Sequence, residues 1–121
     1  MKITITSQGE SLESAVDPRF GRAARFIVYD TDTGGFQAVS NSESLNASQG
    51  AGIKAAEVVS RLGAEVVITG HCGPKAHQTL SAAGIQVVLG AEGTTVAKAL
   101  EKYKSGQLKA SGSPDVAGHW E

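Results

Sequence analysis

The chain has 121 residues, a length that fits one domain around one core. Hydrophobic residues make up 40% and charged residues 19%, the balance of an ordinary globular protein, and a formal net charge of -1 gives no whole-chain attraction to nucleic acid. One cysteine excludes an internal disulfide and fits a reducing compartment; no apolar run approaches the roughly 20 residues that span a bilayer, and the opening MKITITSQGE is too polar for a secretory signal, so a cytoplasmic protein with no membrane partner is expected.

KITITS, residues 2–7, alternates apolar and polar positions and is rich in β-branched residues, which predicts a first strand. Residues 8–22, QGESLESAVDPRFGR, carry Gly, Pro and Ser with little periodicity and predict a long loop, a feature often tied to function in a small domain. RFIVYDT, about residues 25–31, and FQAVS, residues 36–40, flank the turn signal DTGG and predict an antiparallel hairpin. NSESLNASQGAG, residues 41–52, is a second polar loop.

The pattern then switches. IKAAEVVSRLG places Ala55, Val58, Val59 and Leu62 on one helical face and stops at Gly63. AEVVIT, residues 64–69, is a short buried strand, and PKAHQTLSAAG is a helix opened by Pro74 and closed by Gly84. IQVVLG is another buried strand, and TTVAKALEKYKSG is a third helix with Val96, Ala99, Leu100 and Tyr103 in register. Residues 105–121 are polar and rich in Gly, Ser and Pro; they predict a frayed, flexible tail after a domain of residues 1–104, with Trp120 mobile in it.

The order is β-β-β-α-β-α-β-α, a single α/β domain. Strand–helix–strand units pair in parallel through right-handed crossovers. With the first strand pointing up, the second points down and the third, fourth and fifth point up. The loops at 8–22, 41–52, 70–74 and 90–93 then leave one edge of the sheet, the carboxyl edge where open α/β sheets bind ligands.

Three glycine-bearing helix starts fall on that edge: GAG at 50–52, GHCGP at 70–74, and AEGTT at 91–95, where Thr94 or Thr95 is a candidate N-cap. Glycines admit close approach of a ligand, and helix starts present unpaired N–H groups, so the edge is suited to an anion; each motif alone also serves as a plain tight turn or cap. Arg19, Arg22 and Arg25 cluster in DPRFGRAAR, and guanidinium groups pair with multi-oxygen anions. Phe20 is expected to pin this loop to the body. A solvated basic surface, with Asp17 capping a turn, is the blander alternative.

TGHCGPKAH, residues 69–77, holds the only cysteine and two of the three histidines. A closed zinc site needs four ligands and commonly Cys-x-x-Cys spacing, which this chain lacks. Thiolate and imidazole would also suit copper, so Cys72 and His71 are candidate metal contacts; a buried apolar role for Cys72 and a solvated one for His77 are the alternatives.

VDPRFGRAARFIVYD, followed by QGAGIKAAEVVSRLGAEVVITGHCGPKAHQTLSAAGIQVV, resembles the dinitrogenase iron–molybdenum cofactor biosynthesis family over most of residues 1–104. The resemblance implies a ribonuclease-H-like fold with a five-stranded mixed sheet flanked by helices. It implies binding or carrying of a metal–sulfur cluster rather than catalysis, with protein partners in cluster assembly or transfer. For the short stand-alone form of the family the cluster would be a molybdenum–copper sulfide held without covalent bonds. By position the resemblance carries over Arg19, Phe20, Gly21 and Arg22, then Gly50 and Gly52, then Gly70, Gly73 and Pro74. The family usually has small or apolar residues where this chain has His71 and Cys72, and the resemblance leaves open whether these two touch the cluster.

Three rival readings differ in what they require. A nuclease on this fold needs clustered carboxylates for two metal ions, but the first strand has none, and Asp30 and Asp32 belong to the hairpin turn on the opposite edge. A module for a small phosphorylated ligand would use the same anion cradle, although no Gly-x-x-x-x-Gly-Lys-Ser/Thr loop occurs. A regulatory interaction domain would leave the cradle empty.

Overall fold

The strictest alternation in the sequence belongs to the strand that becomes the centre of the sheet. In β1 (Lys2–Ser7), Ile3 and Ile5 point to one face and Thr4 and Thr6 to the other, and everything after Lys2 is buried. The computed structural model describes residues 1–47 and 50–115. Its other elements are β2 (Arg25–Asp30), β3 (Phe36–Ser40), α1 (Ser42–Leu45), α2 (Ala51–Arg61), β4 (Val66–Ile68), α3 (Pro74–Ala82), β5 (Gln86–Val88) and α4 (Val96–Lys104).

The five strands form one mixed sheet in the order β3-β2-β1-β4-β5. β2 is antiparallel to both of its neighbours, with Ile27 opposite Ile5 and Ala38. β1, β4 and β5 are parallel, with Ile5 beside Ile68 and Ile68 beside Val88. The directions required by the hairpin and the two crossovers are therefore those observed, and the loops after β1, β3, β4 and β5 share the carboxyl edge.

Helices cover both faces. α2 and α3 pack with Phe26, Val67 and Val87 through Ala55, Val59, Ala76 and Leu80. α4 packs on the opposite face, where Val96, Ala99 and Leu100 meet Ile3, Ile5, Ile27, Ile68 and Val88. Successive residues of β4 thus serve different cores, as do Val87 and Val88 of β5, which is why β4 reads as an unbroken apolar run and β5 as one after the exposed Gln86. Among the described residues no helix is long and apolar enough to cross a membrane.

Two segments differ from the sequence-based expectation. α1 forms inside the 41–52 loop, although one turn of helix has no periodicity to announce it. The described part of the C-terminal tail is docked rather than frayed: Leu108 packs beside the α4 core, Ala110 bridges Val88, and the Ser111 amide donates to the Val87 carbonyl at 2.6 Å. The reason is backbone supply. β5 is an edge strand whose outer N–H and C=O groups need partners, and a polar tail can supply them without apolar side chains. Trp120 and the rest of 116–121 lie outside the described residues.

Strand ends are tied to the edge loops by hydroxyls. The buried Thr6 hydroxyl donates to the Asp17 carbonyl at 2.7 Å and shares a 2.8 Å hydrogen bond with Thr69 at the end of β4. Thr6→Val keeps the shape but strips both partners, so it should cost about 1–3 kcal/mol. A lower denaturant midpoint at an unchanged slope in urea unfolding is the expected result.

Candidate functional site

The DPRFGR loop is held at every residue. The Asp17 carboxylate accepts from the amides of Arg19 at 3.3 Å and Ala24 at 3.2 Å, so the loop closes on its own first residue. Phe20 is 1% exposed and packs tilted against Phe26 with ring centroids 6.0 Å apart. It therefore anchors the loop and turns no ring face to solvent. Backbone hydrogen bonds run from Phe20 N–H to the His71 carbonyl, 3.1 Å, and from His71 N–H to the Pro18 carbonyl, 2.8 Å. They join this loop to the β4–α3 turn as a one-residue parallel bridge.

Two glycines make that packing sterically possible. A side-chain carbon on Gly70 would lie 2.7 Å from the Pro18 carbonyl oxygen and 2.9 Å from its Cα. One on Gly21 would lie 2.9 Å from both N and Cα of Gly52 in the first turn of α2. Both glycines serve close backbone contact inside the protein, where the sequence pattern had pointed to close approach by a ligand. The buried Ser44 hydroxyl adds a further tie, lying 2.5 Å from the Gly21 carbonyl and 2.6 Å from that of Ala51.

The three helix starts on this edge have different fates. At α4, the Thr95 hydroxyl accepts from Lys98 N–H at 3.1 Å, and the carbonyls of Ser14 and Leu12 take the amides of Val96 and Ala97 at 2.9 and 2.8 Å. That start is closed by the 8–16 segment. At α3, Gly73 is the N-cap in an extended conformation open to any residue, and Pro74 in the first turn brings no N–H. The preceding amide, Cys72 N–H, donates to the Asp115 carboxylate at 3.0 Å. At α2, the N-cap Gly50 sits at φ 73 with no side-chain cap. Its carbonyl takes Lys54 N–H at 3.1 Å, and among the described residues no group accepts from Ala51, Gly52 or Ile53. The first amides of α2 thus meet no acceptor among the described residues, although Ala51 and Gly52 are buried and Gly21 packs on Gly52.

The arginines divide accordingly. Half-buried Arg22 donates to the Ala47 carbonyl at 3.3 Å, on the loop that leads into α2. Arg19 is exposed beside the bridge to His71. Arg25 turns away, pairing with Glu10 at 3.4 Å and reaching the Gln8 carbonyl at 3.5 Å.

The two histidines of the TGHCGPKAH stretch face the tail. His71 has Nδ1 2.9 Å from Asp115 Oδ2 and Nε2 3.1 Å from Glu92 Oε2. His77, for which a solvated place was one alternative, is buried, with Nε2 3.1 Å from the Ser111 carbonyl and Nδ1 3.4 Å from Ser81 Oγ. Cys72 is 1% exposed in the core with Phe20 and Ala76, its Sγ 3.6 Å from the Gly73 carbonyl. As placed, it offers no sulfur to a surface ligand, and both ring nitrogens of His71 are engaged with carboxylates. Among the described residues no group of three or more His, Cys, Asp or Glu side chains is arranged to hold a metal ion.

Sequence reasoning brought out the arginine loop and the glycine motifs but missed Ser44, Glu92 and Asp115. Asp115 follows Ser-Gly-Ser-Pro, a composition that reads as linker, and its partner Cys72 is 43 residues away. No local pattern signals such a contact.

A family model described as dinitrogenase iron-molybdenum cofactor matches residues 1–106. The apo form of the orange protein from Desulfovibrio gigas superposes with a TM-score of 0.93 at 45% identity, covering 95% of this chain and 96% of that one. A solution structure from Thermotoga, described under the NifB name and placed in the DUF35 family, gives 0.78 at 36% identity, covering 90% of this chain and 91% of that one. An uncharacterised protein of Methanocaldococcus jannaschii is 24% identical over 111 residues, 90% of each chain.

The glycines should separate by substitution. At Gly50 there is open space and a φ of 73, so Gly50→Ala should cost about 1–2 kcal/mol and Gly50→Asn less, because Asn tolerates the left-handed conformation. At Gly21 and Gly70 any side chain meets backbone, so Ala and Asn should both destabilise, Ala by about 1–3 kcal/mol. Thermal or urea unfolding of the six variants checks the contrast. Phe20→Ala should lose about 3–5 kcal/mol in the same assay, a core-sized loss from a loop position.

Proposed function

This chain belongs to the dinitrogenase iron-molybdenum cofactor family, and from that membership we propose that it is a non-catalytic carrier or scaffold for a molybdenum-containing sulfide cluster, held without covalent bonds. The cargo is a mixed molybdenum–copper sulfide, and the protein receives and delivers it in the cytoplasm through other proteins of cluster assembly or transfer. The observation that carries this reading is the uncapped start of α2, with Arg22 beside it and Arg19 on the adjoining loop. A sulfide cluster is a polyanion without a fixed donor geometry. A helix start and permanently charged guanidinium groups recognise negative charge rather than a coordination pattern. Strand order β3-β2-β1-β4-β5 with β2 alone antiparallel supports a ribonuclease-H-like arrangement. Among the described residues no group of three or more His, Cys, Asp or Glu side chains could hold a metal ion, and nuclease chemistry forms no part of the reading.

Protein purified without strong chelators should show visible charge-transfer bands and stoichiometric molybdenum, with copper, by elemental analysis. If it emerges colourless, incubation with thiomolybdate and copper followed by gel filtration should restore both. Arg19→Ala combined with Arg22→Ala should weaken retention roughly tenfold or more, since each charge-assisted hydrogen bond contributes about 1.5–3 kcal/mol. The folded domain should survive, because neither side chain belongs to the core. Unchanged retention in the double variant would remove the arginines from the site. Wild-type protein that takes up no molybdenum but binds inorganic phosphate would replace the carrier by a phosphorylated-ligand module.

A further inference from the structure

Beyond α4 the chain reverses and returns to the carboxyl edge. The amides of Gln107 and Leu108 donate to the Lys102 carbonyl at 2.8 and 3.2 Å, which turns the chain toward β5. Ala110 then bridges Val88, and Ser111 is held between the Val87 carbonyl and the ring of His77. At Asp115 the segment meets the β4–α3 turn. One carboxylate oxygen takes the Cys72 amide, the other lies 2.9 Å from His71 Nδ1, and the Asp115 amide donates to the Cys72 carbonyl at 3.3 Å. The two histidines of TGHCGPKAH thus hold the two ends of one short segment, residues 111–115.

This places a carboxylate of the protein's own tail on a backbone amide beside the start of α3, next to the loop that carries Arg19 and Arg22. A carboxylate is an anion that fits such an amide. Asp115 and an external anion cannot occupy it together, and two anions side by side repel. The tie is also small. Asp115 is surface-exposed, and beyond Ser111 the segment buries no apolar side chain. Contacts of that kind open at low cost relative to the core.

We propose that residues 108–115 form a strap that closes the β4–α3 turn in the unloaded protein, with Asp115 as an internal stand-in for the anionic cargo. Loading displaces Asp115, and the strap opens. The strap rests on the carrier reading of the same edge. Its consequence follows from linkage: a protein that must first open binds with an affinity reduced by the open fraction, and removing the closed state restores it. Coupling of this type usually amounts to about 5–150-fold.

The test uses the full chain and Asp115→Asn, with Asp115→Ala as a second variant, and copper with thiomolybdate as the probe. Molybdenum retention gives the affinity, and hydrogen exchange by mass spectrometry reports peptides spanning 70–74 and 106–115. Without the probe, both variants should exchange faster than wild type in both peptides. With it, wild-type 106–115 should lose protection, and both variants should bind at least about fivefold tighter than wild type. Equal affinities with unchanged exchange at 106–115 on loading would overturn the strap while leaving the carrier reading intact. If wild type and both variants all fail to retain molybdenum, the carrier reading fails, and the strap falls with it.

Discussion

Two backbone hydrogen bonds, Phe20 N–H to the His71 carbonyl and His71 N–H to the Pro18 carbonyl, organise the whole carboxyl edge. β1 and β4 are parallel neighbours, so the chains leaving them emerge side by side. The bridge converts that proximity into contact, and Gly70 permits the distance. Once the loops are joined, Phe20 reaches the core, Gly21 comes to rest on Gly52, and the Arg22 side chain reaches the loop leading into α2. The arrangement on the edge is thus a consequence of sheet pairing rather than of any one motif.

The three helix starts show how a fold selects among chemically similar positions. In each, local geometry leaves amides unpaired, and in each the outcome depends on what a distant segment brings. The 8–16 segment folds back along the end of β1, and its carbonyls close α4. The tail brings a carboxylate to α3. Among the described residues no acceptor meets the first amides of α2, although Gly21 packs on Gly52, and the Arg22 side chain reaches the loop before it. An edge of this kind is shaped as much by the helix-start amides that find partners within the protein as by those that do not.

Individual residues show how far the pattern carried. Ile3, Ile5 and the apolar runs of β4 and β5 were readable because a strand's period of two and a crossover's handedness are local or nearly local rules. The arginine loop stood out by composition, but the part each residue plays did not. Phe20 and Gly21 pack inside the protein, and Arg25 leaves the group for Glu10. Histidine beside cysteine resembled a metal site. In the fold both histidines meet the tail and the thiol lies in the core.

The sequence by itself determined the α/β class, the strand directions, the family likeness and the edge on which glycines and arginines collect. Those depend on periodicity, turn chemistry and the steric rules of chain connection, which act within one element or between successive ones. Only the tertiary structure decided which helix-start amides find acceptors, that Gly21 and Gly70 serve backbone packing, and that the tail returns to Cys72 with Asp115. Each of those depends on a hydrogen bond or a contact between backbones far apart in the chain, and backbone groups are the same in every residue, so the letters carry no record of which will meet.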